Sequence, residues 1–379
     1  MNKIKLIKKK LDEFDFPFMG YIGYTITKFF DNFRTLSFLL DKMETITMRK
    51  DMAKLRVDRP IYITGLARAG TTIVLEMLSK HPDLATHRYK HMLMPYLPHW
   101  LSQVAKRTNV YTKPFERPHK DGIFVTRESP EAVEEMLWQK FFNKVYDENT
   151  SNIFDINISN LKFERFYKNH ILKLILNQKR SRYLAKNNYN VTRMEYLLQI
   201  FPSSKFLLII RNPVNHIASL IKQTGLFIEI ERKKPLFNEW LRMIGHREFG
   251  HNSICINVGN KELIHKIRKL WKNEETYVKG WAYYWYSIYD YVAEKLETNK
   301  KLKKATLIVK YEELCKTPAK IIDNILQHTE LSTKKFKKVK NYYIEHLHEP
   351  TYYIPDFSKQ ELDNIAEITS LTTKWFGYV

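Results

Sequence analysis

Residues 60–78 read PIYITGLARAGTTIVLEML: a short apolar run, a loop bounded by Gly65 and Gly70, and a second apolar run. Ile61, Tyr62 and Ile63 have the character of a strand buried on both faces. From Gly70 onward Ile73, Val74, Met77 and Leu78 recur at helical spacing. A strand that passes through a tight loop into a helix aims backbone N–H groups and the positive end of the helix dipole at one point. That geometry receives phosphate or another anion.

Further strands follow the same pattern. Lys205–Ile210 (KFLLII) ends in Arg211-Asn212-Pro213, ahead of a helix carrying Ile217, Leu220 and Ile221, with Ser219 two turns in. Tyr183–Ala185 is a short strand between helices at Phe163–Leu176 and Val191–Phe201. Ala305–Val309 precedes Tyr311-Glu312-Glu313-Leu314 and a helix after Pro318. Strands alternating with helices predict an α/β fold of three layers, a central parallel sheet with helices on both faces. A helix is predicted from Ser129-Pro130-Glu131 through Val133, Met136, Leu137 and Phe141, and a long one over Trp271–Leu296 whose aromatic stripe belongs to the core. Residues 81–100, with Pro82, Pro95 and Pro98, read as an irregular segment over the mouth of the sheet, where such folds place their ligands.

The chain of 379 residues is 44% hydrophobic and 14% aromatic, ample for a large core. Residues 58–379 are expected to form one domain behind a helical, basic and aromatic extension at 1–57. A formal charge of +22 favours an anionic ligand, an acidic polymer or an anionic membrane surface. No basic stretch carries interleaved stacking aromatics, so nucleic acid is not the expected partner. Cys255 and Cys315 are too few for a disulfide framework. With no signal-peptide pattern at the N-terminus, they predict a cytoplasmic location. Phe16–Phe30 is apolar but broken by Pro17, Gly20, Gly23 and Lys28. It suits an interfacial or packed helix and leaves a peripheral contact at the inner membrane face open.

Gly65 and Gly70 have the spacing of the nucleotide-binding P-loop, but Thr71 stands where that motif has lysine, and the cation lies inside the loop as Arg68. Arg211 ends the second strand where a kinase or ATPase needs an acidic residue for magnesium. Both features weigh against a P-loop-type nucleotide kinase. The other alternative is a non-catalytic protein that binds nucleic acid or anionic lipid.

Arg68-Ala69-Gly70-Thr71-Thr72 after a strand, Arg211 with Pro213 and Ser219, KFLLIIRNP preceded by Phe201-Pro202, and VKYEEL after the last strand together resemble sulfotransferases that use 3′-phosphoadenosine 5′-phosphosulfate (PAPS). The resemblance covers most of residues 58–379 and is nearest to the branch that includes bacterial and tyrosylprotein-like enzymes. It implies transfer of a sulfuryl group from PAPS to a hydroxyl or amine, without a metal, leaving 3′,5′-adenosine bisphosphate. It also implies that Arg68, Ala69, Gly70, Thr71 and Thr72 hold the 5′-phosphosulfate, with Arg68 acting catalytically on the leaving phosphate, and that Arg211 and Ser219 hold the 3′-phosphate.

Many relatives carry a glutamate four or five residues before a proline as acceptor base. Here Pro95 is preceded by Lys90, His91, Met92, Leu93 and Met94. His91 falls at the equivalent place and is the first candidate base, with Glu128 second and His87 third. His87, Arg88, Lys90 and His91 form a cationic cluster suited to an acidic acceptor. The glycine-rich C-terminal clamp of the phenol and steroid branch is absent, which counts against small phenols, while the charge and the aromatic N-terminus fit a carbohydrate or glycolipid acceptor.

Overall fold

The computed structural model describes residues 20–108, 114–349 and 355–378. Helices α1 (Gly20–Asn32) and α2 (Arg34–Met52) precede β1 (Ile61–Thr64), α3 (Thr71–Ser79), β2 (Leu84–Thr86) and α4 (Pro98–Thr108). A small hairpin, β3 (Phe115–Glu116) with β4 (Phe124–Val125), leads to α5 (Glu134–Phe141), α6 (Leu161–Gln178), β5 (Arg182–Lys186), α7 (Met194–Ile200), β6 (Lys205–Ile210), α8 (Pro213–Lys233) and α9 (Pro235–Met243). The chain continues through α10 (Lys261–Leu270), α11 (Tyr277–Thr298), α12 (Lys300–Ala305), β7 (Thr306–Lys310), α13 (Tyr311–Lys316), α14 (Pro318–His328), α15 (Thr333–His346) and α16 (Lys359–Trp375).

Five parallel strands form the central sheet in the order β2-β5-β1-β6-β7. β1 is central, with Ile61 opposite Leu184 on one side and Lys205 on the other. Its alternation divides the core. Tyr62, Phe206 and Leu208 face the layer that contains Trp285, Ile288 and Val292 of α11. Ile61, Ile63, Leu207 and Ile209 face Val74 and Leu78 of α3 and Ile322 and Ile325 of α14. After β1 the chain builds the sheet first to one side and later to the other. The loop leaving β1 therefore emerges where strand order reverses, the ligand position of doubly wound sheets.

Some local expectations shift. The helix expected from Ser129 begins at Glu134, because Pro130 bridges to Arg88 and the Glu131 N–H donates to the His87 carbonyl at 3.1 Å. The helix expected over Trp271–Leu296 starts at Tyr277, while Trp271 closes α10. The Asn273 side chain accepts from the Glu275 N–H and opens a separate 3-10 turn between them. The segment expected to be irregular also contributes the edge strand β2, which is only three residues long and carries no readable periodicity.

The described part of the N-terminal extension packs on the body. Lys173 of α6 is buried against Asp41 at 2.7 Å and Glu44 at 2.9 Å of α2, and Glu44 also accepts from the N–H groups of His99 and Trp100. Residues 1–19 of that extension lie outside the described residues. Among the described residues no helix is long and apolar enough to cross a membrane.

Candidate active site

The loop between β1 and α3 is held from three directions. A Cβ on Gly65 would collide with the Ile209 carbonyl of β6, and one on Gly70 with the Tyr311 ring at the start of α13. Both glycines also have positive φ (138° and 102°), so no other residue serves at either place. From α11, the Tyr289 hydroxyl accepts from the Leu66 N–H at 3.2 Å and donates to the Ile209 carbonyl at 3.2 Å. His216 of α8 lies 2.8 Å from the Ala67 carbonyl through Nε2, and its Nδ1 accepts from the Trp285 indole at 3.2 Å. This pair of contacts fixes the neutral tautomer with the proton on Nε2. Burial, opposed by the Ala67 bond, lowers the His216 pKa to about 3, so the imidazole stays uncharged. The aromatic residues of α11 are core, as their stripe predicts, and two of them also shape the loop.

Arg68 itself has φ of 72°, a left-handed conformation that costs a residue with a Cβ about 1 kcal/mol or more. It turns the guanidinium back over the N-terminus of α3. There Nε donates to Ser219 Oγ at 3.2 Å and Nη1 to Asp121 Oδ2 at 2.9 Å. Arg117, at the end of β3, joins them: its Nε donates to Asp121 Oδ1 at 2.9 Å, its Nη2 also meets the carboxylate, and its Nη1 lies 3.4 Å from Thr72 Oγ1. Asp121 is 5% exposed and Arg117 7%. Burial pushes the Asp121 carboxyl up, but the bonds and charges of Arg117 and Arg68 outweigh it and bring the pKa down to about 2. The carboxylate is therefore charged throughout the neutral range. The carboxylate is held through Arg117 beside Thr72 in the first turn of α3, whose N–H groups the helix leaves without carbonyl partners.

The other donor-site residues divide. Ser219 meets Arg68 directly. Arg211, at the exit of β6, stacks on Tyr311 with its guanidinium 5.3 Å from the ring centroid, and Tyr311 is the residue that backs Gly70. The Asn212 N–H after it donates to Glu312 Oε1 at 2.9 Å, and Glu312 also accepts from Tyr378 at 3.0 Å. The YEEL stretch thus closes the end of β6. Thr71 Oγ1 lies 3.2 Å from the Asn188 amide oxygen.

A pocket opens beside Arg68, Thr71 and Thr72, with Lys186 at its floor and Phe227, Phe237 and Trp240 on its far wall. Lys186 ends β5 next to β1, and burial lowers its pKa, against the pull of Glu131 and Glu248. His246 stacks on Phe227 at 5.1 Å, and His119 lies 5.6 Å from His246.

Three glutamates line the pocket. Glu135 is closed off by Arg193 at 2.7 and 2.9 Å and by Asn187. Glu248 accepts from Asn188 at 2.9 Å and lies 3.6 Å from His246. Glu131 accepts from the Ala132 N–H at 2.6 Å and shares a hydrogen bond with Tyr89. Among the described residues no cation lies within ion-pair distance of it. It also lines a neighbouring cleft with Thr72, Tyr89 and Arg117.

The base candidates chosen from sequence do not reach this pocket. His91 is wholly buried: its Nδ1 accepts from the Arg88 N–H at 3.1 Å and its Nε2 lies 3.3 Å from Ser102 Oγ. Burial, with the charges around it, drives its pKa well below the usual value. It fastens a 3-10 turn, Tyr89–Met92. Glu128 lines only the neighbouring cleft, 59% exposed and paired with Lys90 at 2.7 Å. His87 is buried with its Nε2 3.1 Å from that of His170. The cationic cluster expected of His87, Arg88, Lys90 and His91 is likewise dispersed: His87, Lys90 and His91 are buried, and Arg88 and Lys90 are neutralised by Glu128.

A family model described as the sulfotransferase family matches residues 60–245, which contain the loop, Arg117, Lys186, Arg211 and Ser219. This match places residues 60–245 in the sulfotransferase family. Sulfotransferase STF9 from Mycobacterium avium superposes with a TM-score of 0.51 at 13% identity, covering 88% of this chain and 81% of that one. STF1 from Mycobacterium tuberculosis H37Rv gives 0.49 at 13% identity over 100% and 92%. The likeness to STF9 shows that the fold is that of a sulfotransferase. No curated protein matches the chain.

Proposed function

We propose that this sulfotransferase moves a sulfuryl group from PAPS to a hydroxyl of an amphiphilic acceptor, with a carbohydrate or glycolipid hydroxyl as the leading class. The observation that carries the donor half is the Asp121 carboxylate drawn onto Arg68 and Arg117 over the start of α3, because the residues present already fit an anion. The aromatic wall opposite supports an acceptor with an apolar portion.

PAPS, when bound, supplies the electrophilic sulfuryl group and leaves as 3′,5′-adenosine bisphosphate. Arg68 and Arg117 neutralise charge at the 5′ end together with the N–H groups of Gly70 to Thr72. A guanidinium suits this task because its fork meets phosphate oxygens at two points. Lys186 supplies a further positive charge at the pocket floor. Arg211 and Ser219 hold the 3′-phosphate. Glu131 takes the proton from the acceptor hydroxyl, being a pocket carboxylate beside Thr72 and Arg117 with no Lys or Arg in ion-pair distance among the described residues. It replaces His91 and Glu128 in that role. The physical demand is positioning and pre-aimed cations, as in phosphoryl transfer.

Calorimetric titration with 3′,5′-adenosine bisphosphate, 5′-AMP and Mg-ATP tests the donor reading. The bisphosphate is expected to bind at least about tenfold more tightly than 5′-AMP, and Arg211→Ala is expected to abolish that preference. A preference for Mg-ATP would instead identify a nucleotide kinase. In the same titration Asp121→Asn is expected to tighten bisphosphate binding by about tenfold, since the incoming phosphate no longer has to displace a carboxylate. Weaker binding by this variant would mean that Asp121 serves to position the two guanidinium groups.

A further inference from the structure

Helices α1 and α2 leave one surface uncovered, and its composition is segregated. On α1 and the turn after it, Ile22, Phe29 and Phe33 are 74%, 44% and 55% exposed. On α2, Leu39, Met43 and Ile46 are 54%, 48% and 62% exposed and fall at i, i+4 and i+7, one stripe of the helix. Arg34, Lys42, Arg49, Lys50 and Lys54 are exposed around them.

The carboxylates of the same two helices point the other way. Asp31 meets Lys140 of α5, while Asp41 and Glu44 are spent on Lys173 of α6. Asp51 is the exposed exception, 4.0 Å from Lys54. The fold has therefore drawn the acidic groups into its interior contacts and left an apolar stripe rimmed by cations outside.

We infer that this face docks on an anionic lipid surface. The exposed aromatic and aliphatic side chains reach the level of the headgroups, and the surrounding lysines and arginines meet lipid phosphates. A second copy of the chain fits less well, because a two-fold contact through this face would bring the same cations against each other. Helix α1 also touches the helix that walls the pocket. Glu239 of α9 meets Tyr24 and Lys28 of α1, and the same helix supplies Phe237 and Trp240 to the pocket. Docking would bring the acceptor pocket to the bilayer. The inference does not rest on the donor or the acceptor assigned above.

Sedimentation of the full chain with vesicles tests it, using phosphatidylcholine alone and an equal mixture with phosphatidylglycerol. Binding to the mixed vesicles is expected to exceed that to the neutral ones by about tenfold or more and to fall with salt. Phe29→Ser/Phe33→Ser/Ile46→Ser and Lys42→Glu/Lys50→Glu are each expected to lower it by about tenfold or more. Unchanged nucleotide binding would confirm that both variants are folded. Absence of vesicle binding, or binding that survives both sets of substitutions, would overturn the inference. So would light scattering that finds a dimer dissolved by the same substitutions.

Discussion

Arg68→Ala is expected to lower turnover by about a thousandfold, or about 4 kcal/mol of transition-state stabilisation, while weakening donor binding much less. The asymmetry follows from where the guanidinium lies. Ser219 and Asp121 fix it beside the first turn of α3, where the proposed reaction develops charge on the oxygen that separates from sulfur. A ground-state phosphate can still be held by Arg117, Lys186 and the loop N–H groups, but the charge that develops in the reaction loses its nearest partner. Arg68→Lys would restore only part of the rate, because an ammonium lacks the fork that reaches Ser219 and the anion together. The measurement is single-turnover transfer of labelled sulfate from PAPS to an acceptor found by screening hydroxyl-bearing amphiphiles, read beside calorimetric donor binding. A parallel loss of affinity and rate would assign Arg68 to binding alone.

The second large effect is expected at Glu131. Glu131→Gln keeps the shape of the side chain and removes the proton acceptor, so kcat is expected to fall by about 10²- to 10³-fold with donor affinity unchanged. His91→Gln and Glu128→Gln are expected to leave the chemical step close to wild type. His91 is enclosed between Arg88 and Ser102, and Glu128 faces Lys90 outside the main pocket. Rescue of the rate of Glu131→Ala by added formate or acetate separates a base from a residue that merely orients the acceptor. A full rate in this variant would return the search to Glu248 with its His246 neighbour.

The contrast between these residues explains what could be read in advance. The strand, loop and helix at 60–78 are consecutive in the chain, and each carries its own local signal. Arg211 and Ser219 follow a strand so uniformly apolar that its end marks itself. Lys186 had a comparable signal, a cation closing a short apolar strand, and could have been found by asking which strand ends neighbour β1.

Arg117 and Asp121 had none. The stretch ERPHKDG reads as an ordinary polar turn, and only the hairpin formed by β3 and β4 turns it over the start of α3. His91 was misplaced for the reverse reason. Its spacing to Pro95 was right, but a 3-10 turn inverts side-chain direction within a residue or two, and linear spacing does not record which way a ring points.

The glycines of the loop have a wider implication. Gly70 is pressed against Tyr311 and Gly65 against Ile209, while Tyr289 and Trp285 of α11 fasten the same turn from behind. Tyr311, Tyr289 and Trp285 all lie beyond residue 245, outside the segment that the family model matches. The stretch by which the family is recognised is therefore not a portable module. The carboxy-terminal third works as a mould, and drift at Tyr289 or Trp285 would reshape the loop while leaving Arg68, Arg211 and Ser219 in place.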